Sequence, residues 1–187
     1  MDIKQSLFVF TFGLLLACQP MSDFEVEQYF PLDSLLLKQS QLLANMQVEI
    51  HKSVTMDEQF EEITFRPDTT RFAKEFQMIK DFSLNKNSYI GAFDIEKEGA
   101  SVVYTKKKDQ PVPINKFTVK YDEKIALVSG QYFEDKEIFQ HQRNFRFLFD
   151  ESGVLSEYRI WGFQKMILQD TIQYDIVGKV VLPSNEL

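Results

Sequence analysis

The 187-residue chain contains one cysteine, one tryptophan, two histidines and seven glycines, and each scarcity removes a class of chemistry. A single cysteine excludes any intramolecular disulfide, so stability has to come from packing. His51 and His141 stand in separate strand-like stretches, with no second His or Cys at ligand spacing beside either. Zinc sites draw on several such ligands, and no Asp ladder of the EF-hand kind is present, so no metal is expected. The glycines fall in none of the Gly-rich phosphate-binding patterns, and no Gly-x-Ser-x-Gly elbow occurs. Neither a nucleotide cofactor nor a serine nucleophile is therefore expected. Cations are also in deficit: 21 Lys and Arg stand against 28 Asp and Glu, a formal charge of −7. Nucleic acid is excluded as a partner, because binding it requires a basic footprint that releases counterions.

Long apolar runs are missing too. The most extended is Leu7 to Ala17, eleven apolar or small residues that follow Lys4 and end at Cys18. A membrane-spanning helix needs about 20 apolar residues, so this run is too short to cross and has the length of a signal-peptide core. Leu15-Leu16-Ala17-Cys18 resembles the lipobox of bacterial lipoproteins. That resemblance implies cleavage before Cys18, with acyl chains on its sulfur and its new amino group. The competing reading is an ordinary N-terminal core helix with a buried thiol. Against it stand the terminal position, the preceding lysine, and the absence of any second cysteine in an exported chain. Two or three acyl chains anchor firmly where one holds only marginally.

The sequence then divides into a signal peptide (1–17), a lipidated tether (18–28) and a single domain (29–187). Removing residues 1–17 takes away Asp2 and Lys4, which leaves the charge at −7. Residues 19–28 reach at most about 35 Å when fully extended, so the domain is expected close to its bilayer. Gln19 follows Cys18 in place of the aspartate that retains many lipoproteins at the inner membrane. The resemblance therefore implies the outer membrane, facing the periplasm. Asp23, Glu25 and Glu27 leave surface export open.

The domain reads as α+β. PLDSLLLKQSQLLANM, residues 31–46, has apolar residues at 32, 35, 36, 42, 43 and 46, the period of a helix with one buried stripe. A second helix is expected over 69–82 behind an Asp68 N-cap, with Phe72, Phe76 and Ile79 on one face. QVEIHKSV and EEITFRP between them read as two short strands. From Ser88 onward, strand-like stretches alternate with short charged, Gly- or Pro-containing links. Links so short require antiparallel pairing. The expectation is an antiparallel meander of about six to seven strands with two N-terminal helices packed on one face. Phe117, Val119 and Tyr121 share one face of their strand, as do Phe145, Phe147 and Phe149 of theirs.

This order also resembles a set of small uncharacterised lipoproteins of Gram-negative bacteria. The matching pieces are Tyr29-Phe30 in a first helix, the 69–82 helix, and the closing strand Tyr174-Asp175-Ile176-Val177-Gly178-Lys179. The resemblance spans roughly residues 26–181 and implies an order of elements and a location, with no activity or site residues.

Three surface features remain as candidates. Glu61-Glu62 and Asp94/Glu96 offer a carboxylate pair across strands, the one enzymatic option, as in glycoside hydrolysis. The alternative is a solvated sheet face. Lys106-Lys107-Lys108 reads as a charged hairpin end, either solvated or touching lipid phosphates near the tether. Tyr132, Phe133, Tyr158, Trp161 and Phe163 lie on neighbouring strands, and alternation sends some of them away from the core. Either both sheet faces are covered or an aromatic surface is open for binding. With no catalytic or cofactor-binding residue indicated, the expected function is a non-enzymatic, lipid-anchored envelope protein. It would bind a protein partner or an apolar ligand through its sheet, with a carrier of hydrophobic cargo as the alternative and a carboxylate hydrolase behind both.

Overall fold

The computed structural model describes residues 29–183; Cys18 and the segments expected to be a signal peptide and a tether lie outside these residues. The chain forms α1 (Leu32–Asn45), β1 (Glu49–Met56), β2 (Gln59–Phe65), α2 (Thr69–Glu75) and two 3₁₀ segments, Gln77–Phe82 and Asn87–Tyr89. Seven strands follow: β3 (Phe93–Glu98), β4 (Ser101–Lys106), β5 (Ile114–Asp122), β6 (Lys124–Lys136), β7 (Phe139–Phe149), β8 (Leu155–Met166) and β9 (Ile172–Val181). All nine strands make one antiparallel sheet in the order β2-β1-β9-β8-β7-β6-β5-β4-β3. The mixed α and antiparallel β class is therefore as expected, and the strand count is corrected to nine. The seven-strand meander is present, and the early hairpin β1–β2 adds to its far end through β9. Periodicity shows each strand but not this pairing, because β1 and β9 are separated by more than a hundred residues.

The β1–β2 hairpin lies between the two helices, where two short strands were expected. The helical part also departs from expectation: the second helix stops at Glu75 and continues as a 3₁₀ segment to Phe82. Asp68 does cap it, its carboxylate accepting the Arg71 amide hydrogen at 2.7 Å. Phe72 of the helix, Phe76 at the junction, and Ile79 and Phe82 of the 3₁₀ segment are all fully buried. Tyr29 and Phe30 precede α1 instead of lying in it. Tyr29 sits edge-on to Phe93 and Tyr104, and Phe30 lies against Phe117. The Asn85 side chain holds them there by accepting from the Tyr29 amide and donating to the Tyr29 and Phe30 carbonyls.

The helical segments cover one face of the sheet, the inner face. Phe76 meets Phe147 and Tyr158, and Phe82 meets Phe145 and Tyr132, at ring separations of 4.7–5.8 Å. Most of these contacts are edge-on or tilted, as the ring quadrupole favours. Gly178 makes room for one of them: a Cβ there would lie 2.1 Å from Tyr158 Cζ. The alternation Tyr174, Ile176, Gly178 in β9 thus has a packing reason, with all three on the inner face and the glycine seating Tyr158. Below that ring, Glu75 accepts the Tyr158 hydroxyl hydrogen at 2.7 Å and also pairs with Lys52. Midway along α1, Gln39 donates to the Gly153 carbonyl and accepts from the Leu155 amide, fastening the helix to the β7–β8 turn. Phe145, Phe147 and Phe149 are buried together as expected. Tyr121 is not buried with Phe117 and Val119, because a register shift at Lys120/Tyr121 precedes it.

Candidate functional site

Alternation places Arg159, Trp161 and Phe163 of β8 on the outer face, opposite the core residues Tyr158 and Ile160. Register then supplies their neighbours. Trp161 lies between Asn144 of β7 and Asp175 of β9, and Phe163 between Gln142 and Gln173. Thr55 of β1 continues the row beyond Asp175. Together these side chains line a depression of about 420 Å³. The β1–β2 turn closes one side: the Asp57 carboxylate accepts the Gln173 amide hydrogen at 2.8 Å, and the Asp57 amide donates back to the Gln173 carbonyl.

Arg159 and Asp175 form a two-bond fork across the strands, Nε to Oδ1 at 2.9 Å and Nη2 to Oδ2 at 2.7 Å. The hydrogen bonds to Asp175 push the guanidinium pKa upward, so Arg159 stays charged. It also lies 5.1 Å from the Trp161 ring centre, within cation–π range. Because both charged groups are about two-fifths exposed, this fork is worth little to stability. Its consequence is geometric: the guanidinium and the indole are held side by side in a fixed arrangement.

Of the aromatic set read from the sequence, the structure keeps three on the outer face, Phe133, Trp161 and Phe163, and sends two inward. Tyr158 is fully buried, and Tyr132 packs on Phe82 while its hydroxyl donates to Glu134 at 2.8 Å. Trp161 and Phe163 are half-buried and Phe133 is exposed. The amides beside them, Gln142, Asn144 and Gln173, carried no signal of their own. Their place depends on strand register, which a single sequence does not display.

The carboxylate pair does not form. Glu61 and Glu62 belong to β2, and Asp94 and Glu96 to β3, the two opposite edges of the sheet. His51 is exposed on β1, and His141 is half-buried on β7. Its ring packs against Tyr132, and its Nε2 lies 3.3 Å from Arg143 Nη2 and 3.5 Å from the Tyr174 hydroxyl. Desolvation and the neighbouring Arg143 charge lower its pKa. Arg143 is itself held by the Met78 carbonyl and Asp81, so this inner-face cluster is tied up in structure. Among the described residues, no group of three or more His, Cys, Asp or Glu is placed to hold a metal ion. No helix among them is long and apolar enough to cross a membrane.

No protein family, no curated protein and no solved structure matches the chain.

Proposed function

We propose that this protein is a lipid-anchored, non-enzymatic binding domain of the cell envelope, tethered through acyl chains on Cys18 and docking a protein partner on its outer sheet face. The reading places it at the outer membrane, facing the periplasm. One observation carries the binding assignment: the depression of about 420 Å³ whose walls are Trp161, Phe163, the Arg159–Asp175 fork and a border of amides. Tryptophan and arginine are the residue types that dominate protein–protein hot spots, and a polar border around an aromatic centre is the usual anatomy of such interfaces. A lipid chain would not use the amides.

The test has two arms. Labelled palmitate should enter the wild-type chain and be absent from Cys18→Ser; persistent labelling of that variant overturns the anchor. The acylated protein, cross-linked in envelope membranes through a photoreactive residue replacing Phe163, should capture a defined partner. That capture should fall at least tenfold when Trp161→Ala is added. Capture unaffected by Trp161→Ala overturns the docking site.

The alternative, a carrier of hydrophobic cargo, has one observation in its favour. A groove of about 290 Å³ between α1 and α2 is floored by Leu36, Leu37, Ala73 and Phe76. It lies between the helices; the space between helices and sheet is filled by buried aromatic rings. Lipid co-purifying with the protein in stoichiometric amount, and lost on Leu37→Asp, would favour the carrier.

A further inference from the structure

The two ends of the sheet differ in chemistry, and the chain enters at one of them. The turns β1–β2, β4–β5, β6–β7 and β8–β9 close one end; β3–β4, β5–β6 and β7–β8 close the other. Tyr29 is at the first end. Its ring is 5.4 Å from Phe93, the first residue of β3, and 6.0 Å from Tyr104, near the end of β4. From there α1 runs toward the second end, where Gln39 grips the β7–β8 turn.

At the first end, the β6–β7 and β8–β9 tips are apolar where turn chemistry calls for Gly, Asn or Asp. Ile138, Ile167 and Leu168 are 62%, 63% and 100% exposed. Leu168 moreover adopts φ 62°, a left-handed conformation disfavoured for a bulky side chain. The Ile167 amide donates to the Ile138 carbonyl at 3.0 Å, which joins the two tips into one projection. A fully exposed leucine in a disfavoured backbone gains nothing from the domain around it. Lysines flank the projection: Lys136 and Lys165 at the strand ends, with Lys106, Lys107 and Lys108 where β4 turns to β5. The turns of the second end are mainly acidic, with Glu98, Asp122, Glu123, Asp150 and Glu151 against Lys97 and Lys124. None of them carries an exposed apolar tip, although Leu182 is half-exposed where β9 ends there.

We propose that the first end is a membrane-docking edge, with the Ile138–Ile167–Leu168 projection seated in the interface of the bilayer that holds the acyl chains. The proposal rests on the lipid-anchor reading and extends it. Eleven residue steps separate Cys18 from Tyr29, a reach of at most about 40 Å. The sheet is itself about 40 Å long in its thirteen-residue strand β6. The average span of a flexible chain this short is only about 17–20 Å, half the length of the sheet. A tether leaving at the first end therefore keeps that end nearer the bilayer than the acidic end. The apolar tips enter the headgroup–acyl boundary, while the lysine stems let their ammonium groups reach lipid phosphates. Asp57, Glu58, Asp109, Asp135, Glu137 and Asp170 share this end with the five lysines, so its net charge is close to balance and the occupant is a bilayer held by apolar insertion.

The experiment uses the acylated full chain in phosphatidylcholine vesicles containing nitroxide-labelled lipid. Leu168→Cys and Glu151→Cys variants carry a thiol-reactive bimane probe. Both positions are exposed turns, and matched thermal unfolding verifies the fold. The probe at 168 should lose more than half its fluorescence to the nitroxide, and the probe at 151 almost none. Equal quenching at both positions, or none at 168, overturns the docking edge and leaves the tips to some other contact. Label stoichiometry separates the two readings. One label per chain means Cys18 is blocked by acylation. Two labels mean a bare Cys18, which overturns the anchor and the docking edge with it.

Discussion

The inner and outer faces of this sheet are made from the same strands and obey different rules. On the inner face Phe117, Phe145, Phe147 and Tyr158 are fully buried under Phe72, Phe76 and Phe82, with separations set by ring geometry. Every position there is constrained by its neighbours, to the point that Gly178 is needed to admit one ring. On the outer face Trp161 and Phe163 stand among amides and a charged fork, with a depression above them. Nothing in the described residues covers that side. The difference teaches where each kind of information lies: the inner face stores stability, and the outer face holds exposed chemistry that stability does not require.

The comparison breaks most visibly at Phe147. Phe147→Ala should lower unfolding stability by about 3–5 kcal/mol, the usual cost of an emptied aromatic core site. Chemical denaturation would read it, and a loss below about 1 kcal/mol would mean the inner face is loosely packed. Gly178→Ala tests the same face by overfilling. Its Cβ would overlap the Tyr158 ring, so a loss of about 1–3 kcal/mol is expected. Rescue by Tyr158→Leu, measured in the double variant, would tie that loss to the ring.

Trp161→Ala is the counterpart on the outer face. Its stability cost should be about 1 kcal/mol or less, because the side chain is half-exposed and no helix rests on it. Loss of captured partner at nearly unchanged melting temperature separates binding from folding. A drop as large as that of Phe147→Ala would mean the outer face is structural too.

The smallest expected effect is a slope with pH. The folded pKa of His141 lies below its unfolded value, first through desolvation and then through Arg143. In the acid range the unfolded chain therefore binds more protons at this site than the folded one. The stability it contributes is present above about pH 6.5, its unfolded pKa, and is lost as pH falls through the lower folded value. His141→Gln should flatten the decline of melting temperature between pH 7 and 5 relative to wild type. An unchanged slope would mean the ring is solvated when folded.

How much of this was readable beforehand varies from residue to residue. Leu32, Leu36 and Leu43 declared α1 through their spacing, and Asp68 declared the start of α2. The switch to 3₁₀ after Glu75 was not readable, because it is driven by Phe76 and Phe82 reaching rings on β6, β7 and β8. The outer-face site was half legible. Arg159, Trp161 and Phe163 follow from alternation, whereas Asn144, Asp175 and Thr55 join them only through cross-strand register. The carboxylate pair failed for the same reason, since residues near in sequence pattern proved to sit at opposite edges.

By itself the sequence determined the mixed class of structure, the antiparallel sense of the meander, and the scarcity of cysteine, glycine and histidine; it undercounted the sheet, which has nine strands. Period and composition are local properties, and a chain carries them before it folds. Tertiary structure alone decided that β1 closes on β9, that the inner rings interlock around Gly178, and that three amides from β7 and β9 gather beside Trp161. Those outcomes depend on contacts between residues dozens of positions apart, whose free energy exists only once the sheet has assembled.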